Sequence, residues 1–171
     1  MLTPGHLASS YIISQIPSWY GDPLLTRDQV FVIIAGYILD LDLLIPTKKG
    51  AANHHLLPTH TPLFAALLLA ILTVVFKKFF SPLAFLLSGI ALFVHLTLDD
   101  VSFWLYKLGF RKECSVPQIF WLYPFDKRRK KVIKRAQNVT PIKALKLYFT
   151  HPVSVFLEIV LVGIAVFVSK F

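Results

Sequence analysis

Five apolar segments account for about half of this 171-residue chain, and imidazoles and carboxylates recur in or beside the first four. The segments cover 7–19, 30–45, 62–76, 82–106 and 153–168. His6 precedes the first, Asp40 and Asp42 lie in the second, His60 precedes the third, and His95 and Asp99 lie in the fourth. An ionisable side chain deep in a bilayer costs about 2.5–3.5 kcal/mol even on lenient insertion scales, so it usually has a functional reason and a partner. Backbone polar groups inside hydrocarbon must be satisfied within the chain, which favours helices. The expected fold is therefore all-α. It is a multi-pass transmembrane helical bundle, with about four to five membrane-embedded helices, formed by one domain over residues 1–171.

Hydrophobic residues make up 56% of the chain, above the roughly 45–50% of soluble domains. A straight span needs about 20 residues, and the first three segments are shorter, a length tolerated when a helix packs inside a bundle. Prolines and glycines mark the joints. Pro17, Gly21 and Pro23 end the first segment, Pro46 ends the second, and Pro62 fits a first helical turn. Ser81 and Pro82 open the fourth as cap and first-turn proline. No basic stretch precedes the first segment, which holds Gln15 and Pro17, so it does not read as a signal peptide. The single cysteine, Cys114, has no partner for an internal disulfide or a CxxC site.

Charge is distributed unevenly along the +9 chain. Segment 107–151 is the one sizeable extramembrane stretch, and 127–137 is expected to form a surface helix within it. If that stretch and the 46–61 loop share one side, they hold all of the 18 lysines and arginines except Arg27, Lys77, Lys78 and Lys170. The positive-inside rule makes that side cytoplasmic, in a cell (inner) membrane. The expected partners of the basic run are the bilayer and its anionic lipid headgroups. Nucleic acid is not expected, because no recognition motif interrupts the basic residues 127–135.

With the first segment inserted, the same topology carries the ligand-type residues to that side. His6 starts the first helix there. Asp40 and Asp42 end the second, His55 and His60 lie in the following loop and at the start of the third, and His95 and Asp99 lie in the nearer half of the fourth. Imidazole and carboxylate together suit a divalent cation, zinc first, held as one or two ions. His95 and Asp99 are four apart and share one helix face. Asp40 and Asp42 are two apart, about 200° around a regular helix, so both turn inward only if the helix frays before Pro46. Carboxylates at a helix C-terminus are disfavoured by its dipole, and a bound cation removes that penalty. Thr59 is placed to cap the third helix or to orient an imidazole, and Asp100 to act as an interfacial or outer carboxylate. No G-x-S-x-G, P-loop, GxGxxG or HExxH is present, so covalent catalysis has no support.

An N-terminal His6, the Asp40-Leu41-Asp42 pair after an apolar helix, His55 and His60 with Thr59 between, His95 with Asp99, and then Trp121-Leu122-Tyr123-Pro124-Phe125 follow one another in a particular order. That order resembles the YdjM-like family of inner-membrane, predicted metal-dependent hydrolases, over His6 to Phe125. The family commonly has Pro where this chain has Leu39, and Arg-Gly where it has Leu56-Leu57. It is itself similar to the all-helical zinc-dependent phospholipase C and P1-type nuclease superfamily.

The resemblance implies a membrane-bound, phospholipase C-like hydrolase acting on a phosphoester of a lipid or lipid-linked substrate. The expected metal ligands are His6, Asp40, His55, His60, His95 and Asp99. Asp42 or Asp40 is expected to take the proton of the attacking water. A non-enzymatic membrane protein, either a metal or proton transporter or a scaffold with internally paired His and Asp, is the alternative. Transport requires polar residues that continue to the opposite face, and those halves of the segments read as almost wholly apolar.

Overall fold

Caps and prolines set the helix boundaries. Ser81 Oγ accepts from the Ala84 N–H at 3.2 Å, and Pro82 fills the first turn that follows. Thr61 serves the preceding helix in the same way, its Oγ1 accepting from the Phe64 N–H at 3.3 Å ahead of Pro62. The cap is therefore Thr61, two residues beyond the expected Thr59.

The computed structural model describes residues 3–44, 57–109, 119–122, 124–125, 149 and 152–170. Among the described residues there are helices and turns and no strand, so the all-α expectation holds. The α-helices are α1 (Thr3–Gln15), α2 (Thr26–Tyr37), α3 (Pro62–Phe76), α4 (Pro82–Asp99), α5 (Val101–Lys107) and α6 (Pro152–Val168). The expected helix at 127–137 lies outside the described residues.

A 3₁₀ extension continues each of the first two helices. α1 runs into Ile16–Tyr20 and ends at Gly21, whose φ of 81° lets the Asp22 N–H reach back to Pro17 O at 3.1 Å. α2 runs into Ile38–Leu44. With rises of about 1.5 Å per α residue and 2.0 Å per 3₁₀ residue, each composite rod is about 30 Å long. The fourth apolar segment, by contrast, is broken. Asp100 leaves the helical region at φ −93°, ψ 2°, dividing α4 from α5.

α4 is the central rod, with α1, α2 and α3 against it and α6 along α1. One apolar cluster joins Ile13, Phe31, Val32, Ala84, Phe85 and Leu87 at the α4 start. There Phe31 stacks on Phe80 at 4.2 Å and meets Phe85 edge-on at 5.2 Å. A second cluster joins Leu39, Ala65, Leu92, Leu96 and Ile119 toward the α4 end. These contacts run α1 and α3 antiparallel to α4, and α2 parallel to it. The start of α1, the end of the α2 rod, the start of α3 and the end of α4 therefore meet.

By length and composition, α4 is the one described helix able to cross a membrane; α3 and α6 are apolar but have 15 and 17 residues. Outward faces are apolar nonetheless. Leu67 and Ile71 on α3, Leu86 and Phe93 on α4, and Phe156 and Ile159 on α6 are all exposed. Polar groups lie inside, among them Ser9, Ser10, Ser14, Asp28, Ser88 and Glu158. The interior beyond the His and Asp residues thus holds a few polar groups as well. The hydroxyls of Ser9, Ser10 and Ser14 donate to carbonyls of their own helix, at 2.7–2.9 Å. Asp28, at the opposite end, accepts from the Ser81 N–H at 3.3 Å.

Candidate metal centre

Five donors reach the centre from four helix ends. His6 lies in the first turns of α1, Asp40 in the 3₁₀ extension of α2, His60 in the short 3₁₀ turn Pro58–His60 ahead of α3, and His95 and Asp99 one turn apart on α4. All five side chains are buried, none more than 4% exposed. Closure is tight because small residues line the crossing of α1, α2 and α4 at Ser10, Gly36 and Ala91.

Asp99 is the hub. Its Oδ1 lies 2.9 Å from His6 Nε2, and its Oδ2 lies 3.3 Å from His95 Nε2 and 3.8 Å from His60 Nε2. Asp40 Oδ1 stands 3.5 Å from the Nε2 atoms of both His60 and His95. The His6 and His95 rings stack at 3.9 Å, and His60 is tilted against His95 at 5.6 Å. Donor atoms of His6, Asp40, His95 and Asp99 all lie within 4.8 Å of one another.

This donor set fits a divalent cation. At metal–ligand bonds of about 2.0–2.1 Å, neighbouring donors of a tetrahedral ion lie roughly 3.3 Å apart, matching the Nε2–Oδ separations here. Orientation discriminates further. Neither ring nitrogen of His95 makes a hydrogen bond among the described residues, although its Nε2 lies 3.3 Å from a carboxylate oxygen. A His–Asp pair that merely satisfied itself would align an N–H with the oxygen. Lone pairs converging on one point do not. Charge agrees, because two buried carboxylates offset one dication exactly where unpaired burial would cost most.

The remaining sequence candidates separate. Thr59 Oγ1 is 3.4 Å from His60 Nδ1, so the orienting role fits it and the capping role does not. Asp100, expected as an interfacial or outer carboxylate, is fully buried. It accepts from Trp121 Nε1 at 3.0 Å and from the Ile119 N–H at 3.4 Å, binding the 119–121 segment against α4. Trp121→Phe is expected to lower stability by about 1–3 kcal/mol, the loss of a donor to a buried carboxylate; thermal unfolding checks it. The backbone of Asp42 belongs to the 3₁₀ extension, but its side chain, and all of His55, lie outside the described residues.

Sequence reasoning missed two supports. Gly36 and Ser10 carry no signal except being small residues in apolar helices. Glu158 carries a clear one, a lone carboxylate within the apolar helix α6. It is buried, and its Oε1 accepts from the N–H of Gly5, the neighbour of His6, at 3.1 Å. No protein-family model, curated protein or solved structure matches the chain.

Proposed function

We propose that the chain is a multi-pass membrane protein whose buried centre holds a divalent cation and hydrolyses a phosphoester of a lipid or lipid-linked substrate. The observation that carries the proposal is the convergence of three imidazole Nε2 atoms on two carboxylates from four separate helix ends. The membrane part is supported by apolar faces turned outward on α3, α4 and α6 while ionisable groups face inward. Composite rods of about 30 Å for α1 and α2 match a hydrocarbon core of about that thickness. The chain that follows α5 is rich in lysine and arginine, a composition that favours an anionic headgroup.

His6, Asp40, His60, His95 and Asp99 would hold the cation, zinc being the first expectation from the imidazole-rich set. When bound, such an ion polarises a scissile phosphoester and acidifies water. Asp40 faces two imidazoles and acts as a ligand in this reading, which leaves Asp42 as the proton acceptor. Thr59 holds the His60 ring through Nδ1. The resemblance to metal-dependent hydrolases supplies the substrate class.

Burial favours a second reading. Structural ion sites are closed and catalytic ones keep a position open, and His60 and His95 have no exposed surface. A closed ion would then serve only to join four helix ends. Two measurements separate the readings. The hydrolase reading expects zinc-loaded protein in detergent to cleave phospholipid headgroups, with activity abolished by chelator and restored by zinc. It also expects orthophosphate to shift the visible spectrum of Co(II)-loaded protein. Full metal occupancy with neither turnover nor a spectral response to anions would leave the structural ion.

A further inference from the structure

α6 brings one carboxylate into the bundle, and the distances place it beside the metal-binding helix end. Glu158 interrupts an otherwise uncharged helix, at a depth where such a group costs about 2.5–3.5 kcal/mol on insertion scales. Its Oε1 receives the Gly5 N–H at 3.1 Å, and both residues are buried. Gly5 is the third residue of α1, within the turn whose N–H groups have no partner in their own helix. A carboxylate there satisfies one of them and complements the helix dipole. The next residue is His6. One turn earlier on α6, Ser154 Oγ meets Ser102 Oγ of α5 at 3.4 Å, just past Asp99 and Asp100. The polar face of α6 therefore touches the chain on both sides of the centre, at the His6 turn and beyond the Asp99 turn.

We infer that Glu158 is a positioning residue for the cation, fixing the first turn of α1 so that His6 Nε2 stays directed at Asp99. The inference rests on the metal reading given above. It requires only a hydrogen-bond acceptor at position 158, so the charge itself is dispensable. Glu158→Gln is thus expected to bind as the wild type does, within about threefold. Glu158→Leu and Glu158→Ala are expected to bind about 10–100-fold more weakly, the loss typical when a partner behind a ligand is removed.

The test titrates detergent-solubilised wild type and all three variants with Zn²⁺ and with Co²⁺, alongside size-exclusion profiles and thermal unfolding without metal. Support is weakened binding and an altered Co(II) visible spectrum at saturation in Glu158→Leu or Glu158→Ala, with both restored in Glu158→Gln. A purely structural role would lower unfolding temperature and leave the saturated spectrum unchanged, overturning the inference. Equal affinity in all four proteins overturns it as well. Weak binding by a folded Glu158→Gln would do the same, since that side chain retains the acceptor. A wild type that holds no ion overturns the metal reading itself, and this inference with it.

Discussion

Asp99→Asn is expected to empty the centre. Its carboxylate faces all three imidazoles, with Oδ1 at 2.9 Å from His6 and Oδ2 at 3.3 and 3.8 Å from His95 and His60. The amide keeps the shape but removes one anionic donor and half of the negative charge that balances a dication. Loss of a partner behind a ligand already costs about 10–100-fold in affinity, so loss of the hub ligand is expected to exceed 100-fold. Stability reports the same event. An ion present at about 1,000 times its dissociation constant contributes roughly 4 kcal/mol to the folded state. Zinc should therefore raise the unfolding temperature of the wild type by several degrees and leave that of Asp99→Asn unmoved. Asp28→Asn, at the opposite end of the bundle, is the control and should retain the response. Elemental analysis of the purified proteins gives the stoichiometry. An Asp99→Asn protein that binds zinc as the wild type does, or a wild type that takes up none after reconstitution, would refute the centre.

Much of this centre was legible because its chemistry and its topology are both written in the residues. His95 and Asp99 are four apart on an apolar helix, a spacing that admits one arrangement. The alternation of helix direction, read from apolar segments and their proline joints, carried His6, Asp40 and His60 to the same end. What was not legible has physical reasons. The change from α to 3₁₀ after Gln15 and Tyr37 leaves no mark in the apolar pattern, which runs on through both extensions. Thr59 and Thr61 are equivalent as caps in sequence, and only the backbone decides that Thr61 faces the Phe64 N–H. Asp100 follows Asp99, yet the break between α4 and α5 turns it toward Trp121. The interior serines were overlooked because hydroxyls that bond their own helix leave the apolar character of a segment almost unchanged. They also bear on the transport alternative. A polar interior does continue beyond the centre, but Ser10 and Ser14 engage His6 and Tyr11 carbonyls, as bundle-packing residues do.

Gly36→Ala is expected to disturb the same centre without touching a ligand. A Cβ at Gly36 would lie 2.2 Å from Ser10 Oγ, 2.9 Å from Ala91 Cβ and 3.0 Å from Ser10 Cβ. The hydroxyl can rotate away, but the two Cβ atoms move only with their backbones. Position makes that movement costly for function. Asp40 follows Gly36 by four residues and His95 follows Ala91 by four, while His6 precedes Ser10 by four. The triple contact of α1, α2 and α4 thus sits one helical turn, about 5.4 Å, from three of the five donors. Forcing the helices apart there separates the donors by a comparable fraction of an ångström, against a shell whose bond lengths tolerate about 0.2 Å. Overpacking of this kind costs about 1–3 kcal/mol, and the ion affinity should fall at least tenfold. Ser10→Ala removes the atom at 2.2 Å and leaves only the two longer contacts. Added to Gly36→Ala, it should restore part of both the stability and the affinity, while alone it should change either little. The double-mutant cycle then returns a coupling of about 0.5–3 kcal/mol, as expected for residues in direct contact. Additivity of the two substitutions, or a Gly36→Ala protein that binds zinc at wild-type affinity, would mean that this crossing does not set the geometry of the centre.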